Sequence, residues 1–152
     1  MSAIVLTPQQ REQIEAEGVA AYPNECCGII FGREISGRRI VDELAPVANE
    51  FETGEQFHRF LITPQTLLKA EKRCTDGRLV LGFYHCHPDA PARPSEYDRQ
   101  HGWPFYSYII VAIHQRKPVD MTSWTLDEQT EQFSKQDLAL VQMSTNVDRG
   151  SK

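Results

Sequence analysis

Nothing in this chain is built for crossing a membrane. No apolar run approaches the ~20 residues that a bilayer demands. The opening Met-Ser-Ala-Ile-Val-Leu-Thr-Pro lacks the basic stretch and long apolar centre of a signal peptide, so export is not expected. Cysteine is scarce. Four are present, Cys26, Cys27, Cys74 and Cys86, and no two form a Cys-x2-Cys pair. A disulfide framework and an all-cysteine zinc site are thereby excluded, and a reducing cytoplasm is the expected compartment. Basic charge is short as well: 16 Lys and Arg against 21 Asp and Glu leave a net charge of −5. That balance argues against nucleic acid, whose phosphates attract basic patches. Repeats, low-complexity segments and interdomain linkers are all missing. What remains is one soluble domain over residues 1–143, with a polar, frayed tail over 144–152. A chain of 152 residues buries about 68–70% of its unfolded surface.

Local signals divide the domain into alternating elements. Thr7, Pro8 and Gln10 make an N-cap, an N1 proline and a capping box. The helix they start puts Ile14, Gly18, Ala21 and Tyr22 on one face and ends at Pro23. A strand is expected from Cys26 to Gly32, then a turn at Gly37 and a hairpin partner from Arg39 to Val47. Residues 48–56 read as an acidic loop. Phe57 to Ile62 reads as a short strand carrying His58, a structural or groove residue. Thr63-Pro64 repeats the helix start; Leu67, Ala70, Glu71 and Cys74 share a face, and Gly77 is the expected C-cap. Further strands are expected over Tyr106 to Ile113 and Val119 to Leu126, with an edge strand over Glu131 to Ser134. A short helix is expected over Asp137 to Met143. This layered pattern predicts an α/β fold with helices on both sides of a mixed sheet.

The chemistry concentrates after the apolar run Leu79-Val80-Leu81-Gly82-Phe83-Tyr84. There stand His85-Cys86-His87-Pro88 and, after seven residues that follow His87, Ser95-Glu96-Tyr97-Asp98. Side chains alternate along a strand, so His85 and His87 point the same way while Cys86 points to the other face. Two imidazoles at a strand end can share a metal, and Asp98 can close a third bond after the stiff, proline-rich loop 88–94. Three ligands of this kind leave a fourth position open, as catalytic zinc sites do. Such a metal lowers the pKa of water from about 15.7 to about 7. A general base is still required; Asp89 and Glu96 are near in sequence, and more distant carboxylates are open. Ser95-x-x-Asp98 also fits a capping box, which would fix the helix presenting Asp98.

The spacing His-x-His-x7-Ser-x2-Asp, with a distant upstream glutamate, resembles the JAMM (MPN+) metallopeptidases. The matching glutamate is Glu25, in Pro23-Asn24-Glu25-Cys26-Cys27-Gly28-Ile29-Ile30-Phe31-Gly32. The resemblance covers roughly residues 5 to 126 and departs at Cys86, where the family usually has Ser or Thr. It implies a cytidine-deaminase-like α/β/α sandwich with a mixed central sheet. It also implies one Zn2+ per chain on His85, His87 and Asp98, with Glu25 and Ser95 as catalytic residues. Hydrolysis of a peptide or isopeptide bond is the implied reaction. The short chain leaves little room for ubiquitin-gripping insertions. It is closer in type to small prokaryotic members that process ubiquitin-like sulfur-carrier proteins at a Gly-Gly tail. The alternatives are a deubiquitinase-like enzyme, a cell-wall or phage-type peptidase, and a non-catalytic MPN scaffold. A zinc deaminase is excluded, because His-x-Glu and Pro-Cys-x-x-Cys are both missing. No signal bears on oligomeric state.

Overall fold

The computed structural model describes residues 3–48 and 62–141. The elements run β1 (Ala3–Leu6), α1 (Pro8–Ala21), β2 (Cys27–Ile35), β3 (Arg38–Val47), α2 (Pro64–Arg73), β4 (Leu79–Pro88), α3 (Glu96–His101), β5 (Ser107–His114), β6 (Lys117–Leu126) and β7 (Phe133–Leu140). The expected loop over 48–56 and strand over 57–62, with His58, lie almost wholly outside the described residues. So does the tail over 144–152. None of the described helices is long and apolar enough to cross a membrane.

Both long helices begin where their capping residues say. Thr7 Oγ1 accepts the Gln10 N–H at 3.1 Å, and Gln10 Oε1 accepts the Thr7 N–H at 2.9 Å. Thr63 Oγ1 accepts the Thr66 N–H at 3.2 Å, and Lys72 and Arg73 in the last turn of α2 suit its dipole. The hairpin turns Ser36–Gly37 and Gln115–Arg116 have positive φ at both central residues, as two-residue type I′ turns require.

The strands form one mixed sheet in the order β1-β3-β2-β4-β5-β6-β7, and β1 pairs with both β3 and β7, so the pairing closes on itself. β4 stands between antiparallel β2 and parallel β5. Its two faces serve two cores. Leu81, Tyr84 and Cys86 pack with Ile14 of α1, Ile109, Val111 and Ile113. Phe83 packs with Phe31, Tyr108 and Ala70 of α2. The α/β class with a mixed sheet and helices on both faces is therefore present.

Three local expectations are corrected. The helix expected over Asp137 to Met143 is not formed by its described residues, which end at 141: β7 runs from Phe133 to Leu140, because residues 137–140 pair with β1 while 133–136 pair with β6. Long-range ladders on both sides outweigh local preference. Ala3–Leu6, for which local pattern predicts no element, is the strand that closes the sheet. Gly77 does not cap α2. Cys74 holds that place, and Asp76 and Gly77, both at positive φ, form a separate turn closed by Arg78 N–H to Thr75 O at 3.1 Å.

Candidate metal centre

The site grows out of the carboxyl end of β4. The ladder sets Cys27 opposite His85 and Ile110 on its other side, so His85 is buried between β2 and β5. Gly28 allows the strands to meet here. A Cβ at position 28 would lie 2.2–2.3 Å from the Tyr84 ring, which is fully buried and donates its hydroxyl to Glu17 at 2.6 Å. Cys86 turns to the opposite face, into the core beneath α1, while His85 and His87 share the other.

The return segment is pinned before it delivers Asp98. Asp89 N–H donates to Ile113 O at 2.7 Å, and Thr122 Oγ1 donates to Ala92 O at 2.6 Å. Ala92 is buried against Ile110 and Ala112. The helix start then forms a reciprocal capping box: Asp98 N–H donates to Ser95 Oγ at 3.1 Å, and Ser95 N–H donates to Asp98 Oδ2 at 2.8 Å. One pair of residues thus caps α3 and aims a carboxylate at β4.

Three buried ligand atoms converge. His85 Nε2 and His87 Nε2 are 3.1 Å apart, and Asp98 Oδ2 lies 3.4 Å from the first and 3.3 Å from the second. A tetrahedral zinc with bonds of about 2.0–2.1 Å separates its ligand atoms by about 3.3 Å. The triangle therefore has the edge length such an ion requires, and the group is able to hold a metal. His87 Nδ1 donates to Pro91 O at 2.9 Å, which leaves the Nε2 lone pair facing the centre. This orienting group is a backbone carbonyl, so no residue type could signal it in sequence.

Electrostatics agree with the geometry. Burial alone would push the Asp98 carboxyl up, but the two imidazoles outweigh it and hold the group far below the usual carboxylate range. Burial pulls His85 down. His87 is also pulled down by burial, yet hydrogen bonding and charge from Asp98, the Pro91 carbonyl and Glu25 raise it overall.

Glu25 comes to the same place from 60 residues upstream of His85. It is 9% exposed, and burial raises its carboxyl to about 8, with the charge of His87 opposing. Glu25, His87, Pro91, Arg93, Pro94 and the exposed Ser95 line one open groove. The carboxylates nearer in sequence are not brought in. Asp89 is exposed and engaged by the Tyr22 hydroxyl and the Gln115 N–H, and Glu96 pairs with Arg99. His101 stacks on Tyr97 with ring centroids 4.0 Å apart and stays outside the triangle.

Comparison with known proteins bears on the family and the fold. Residues 7–127 match the family described as prokaryotic homologs of the JAB domain. A desampylase from Haloferax volcanii is 33% identical over 117 residues, 74% of this chain and 78% of that protein. Tail tip assembly protein K of Escherichia phage N15 is 34% identical over 89 residues, 58% of this chain; the match spans only 32% of the phage protein. Among solved structures, a Desulfitobacterium hafniense protein superposes with a TM-score of 0.77 at 29% identity, covering 97% of this chain and 99% of that one. A JAB1/MPN domain protein from Archaeoglobus fulgidus shares the fold, with a TM-score of 0.56 at 19% identity over 90% of this chain and 98% of that one. The chain belongs to the prokaryotic JAB-domain family, the small prokaryotic branch of the JAMM/MPN proteins.

Proposed function

We propose that the chain is a zinc-dependent hydrolase that cuts the peptide or isopeptide bond after the Gly-Gly tail of a ubiquitin-like sulfur-carrier protein, in the cytoplasm. The observation that carries this reading is the triangle of His85, His87 and Asp98 beside a buried, protonatable Glu25 in an open groove. One zinc per chain, held by those three residues, supplies Lewis acidity and makes water nucleophilic near neutral pH.

The remaining work falls to the chain. Glu25 accepts the proton of the attacking water and returns it to the departing amine. A carboxyl raised by burial is suited to both transfers, since an acid–base group works best with a pKa near the operating pH. Ser95 Oγ accepts the Asp98 N–H, which leaves its own proton free to be donated to the carbonyl oxygen as negative charge develops there. Such a donor is worth about 2.7–4 kcal/mol. Pro91 and the capping box keep His87 and Asp98 from reorienting as charge moves. The desampylase relative supports hydrolysis and a small ubiquitin-like protein as the partner.

The test is mass spectrometry of carriers extended beyond Gly-Gly, incubated with zinc-loaded protein and with Glu25→Gln as the blank. A single cut after the second glycine is expected, with the whole carrier turned over faster than its free tail peptide. The second reading is a phage-type or cell-wall peptidase, to which the similarity to a phage tail tip assembly protein lends support. Cleavage of cross-linked peptides with all carriers left intact would select it.

A further inference from the structure

The sheet sorts the four cysteines by face. Cys27 and Cys74 lie in the core on the α2 side, while Cys26 and Cys86 lie in the core on the α1 side. The β2–β4 ladder pairs Cys27 with His85, so its next step sets Cys26 directly across from Cys86. Cys86 N–H donates to Cys26 O at 3.2 Å, but the return bond of a regular ladder is diverted. Cys26 N–H donates instead to the Cys86 sulfur, at 2.9 Å. The Cys86 sulfur thus lies over the Cys26 backbone, and its own thiol donates to Asn24 O at 3.6 Å. Directly opposed residues on one face hold their Cβ atoms about 4.5–5.5 Å apart, and a disulfide spans about 3.5–4.5 Å. Closing the bond therefore takes a shift on the order of 1 Å.

The positions are as telling as the geometry. Cys26 follows Glu25, and Cys86 stands between His85 and His87. We propose that Cys26 and Cys86 form an oxidation site, a dithiol that hydrogen peroxide converts to a disulfide, moving Glu25 while the metal ligands stay in place. The half-buried Cys26 sulfur meets the oxidant first and takes up its terminal oxygen as a sulfenic acid, releasing one water. The Cys86 sulfur then displaces that oxygen as a second water. Two thiols lose two electrons and two protons, and one peroxide becomes two waters. The neighbouring Cys86 thiol and burial raise the Cys26 pKa, and a thiol held protonated is slow to react with peroxide.

Of the two residues, Cys26 is the less firmly held. Cys86 is held in β4 between β2 and β5, and α1 presses on it so closely that a Cβ at Gly18 would lie 3.3 Å from the Cys86 Cβ. Cys26 precedes β2 and is only partly buried. Drawing its Cβ towards Cys86 turns the 25–26 peptide, and the neighbouring Glu25 moves with it.

The test treats the full, zinc-loaded chain with hydrogen peroxide and maps it without reduction. The expected product is a cross-linked peptide pair whose fragments place the bond at Cys26 rather than Cys27. Zinc content is expected to be unchanged, turnover to fall at least tenfold, and both changes to reverse with dithiothreitol. Cys86→Ser, with Cys26→Ser as the second variant should the first fail to fold, is expected to form no cross-link and to keep its turnover in peroxide. The cross-link and the retained zinc stand apart from the proposed reaction; the loss of turnover rests on it. Sulfinic acids or free thiols at 26 and 86 would overturn the proposal, as would a cross-link that releases zinc or leaves turnover intact.

Discussion

Replacing Glu25 by Gln tests the burial of that carboxyl without any substrate. In the metal-free protein Glu25 is 9% exposed and its pKa is raised to about 8. In the unfolded chain a glutamate ionises near about 4.3. Between those values the folded state holds a proton that the unfolded state has released, so stability falls as pH rises. The contribution of the neutral acid is complete below about pH 4.3 and gone above about pH 8. At 1.36 kcal/mol per pKa unit the full effect is roughly 5 kcal/mol. Relaxation around an ionised carboxylate reduces it, and about 2–4 kcal/mol is expected. The amide that replaces the carboxyl does not ionise. Urea titrations of the two chelated proteins should therefore agree to within about 1 kcal/mol at pH 5. At pH 8.5 the variant should be the more stable by about 2–4 kcal/mol. A difference that is the same at both pH values would refute the reasoning. With metal restored, the same variant should lose about 10²–10⁴-fold in turnover, the usual worth of a general base.

Gly28→Ala drives a methyl into the buried Tyr84 ring and should cost about 1–3 kcal/mol in thermal unfolding. Ser95→Ala removes the cap of α3 at a cost of about 1 kcal/mol. Its kcat should also fall by about 10²–10³, with zinc retained because the Ser95 backbone N–H still holds Asp98; loss of stability alone would confine Ser95 to capping.

The parts of this protein legible in its sequence are those set by neighbours along the chain. Thr7 and Gln10 announce α1, and the two-residue period of β4 is enough to separate Cys86 from His85 and His87. The capping box at Ser95 and Asp98 marks a helix start, and the structure adds that the same carboxylate faces both imidazoles. What is not legible depends on distant partners. β1 and the second half of β7 exist because they pair with each other, and neither four-residue segment has a compelling pattern alone. The burial of Glu25 is created by the register of β2 on β4, and the orientation of His87 by the carbonyl of Pro91. Gly77 misleads because a glycine after a helix serves equally in a cap or in the next turn, and Asp76 at positive φ decides for the turn.

The central claim is that His85, His87 and Asp98 hold a catalytic zinc. It is tested most directly by the metal content of protein purified without chelator, wild type beside His87→Ala, with circular dichroism to confirm that both are folded. The wild type should carry close to one zinc per chain. His87→Ala loses one of three convergent ligand atoms and should carry almost none. A folded wild type without zinc, or a His87→Ala protein with its full share, would contradict the assignment.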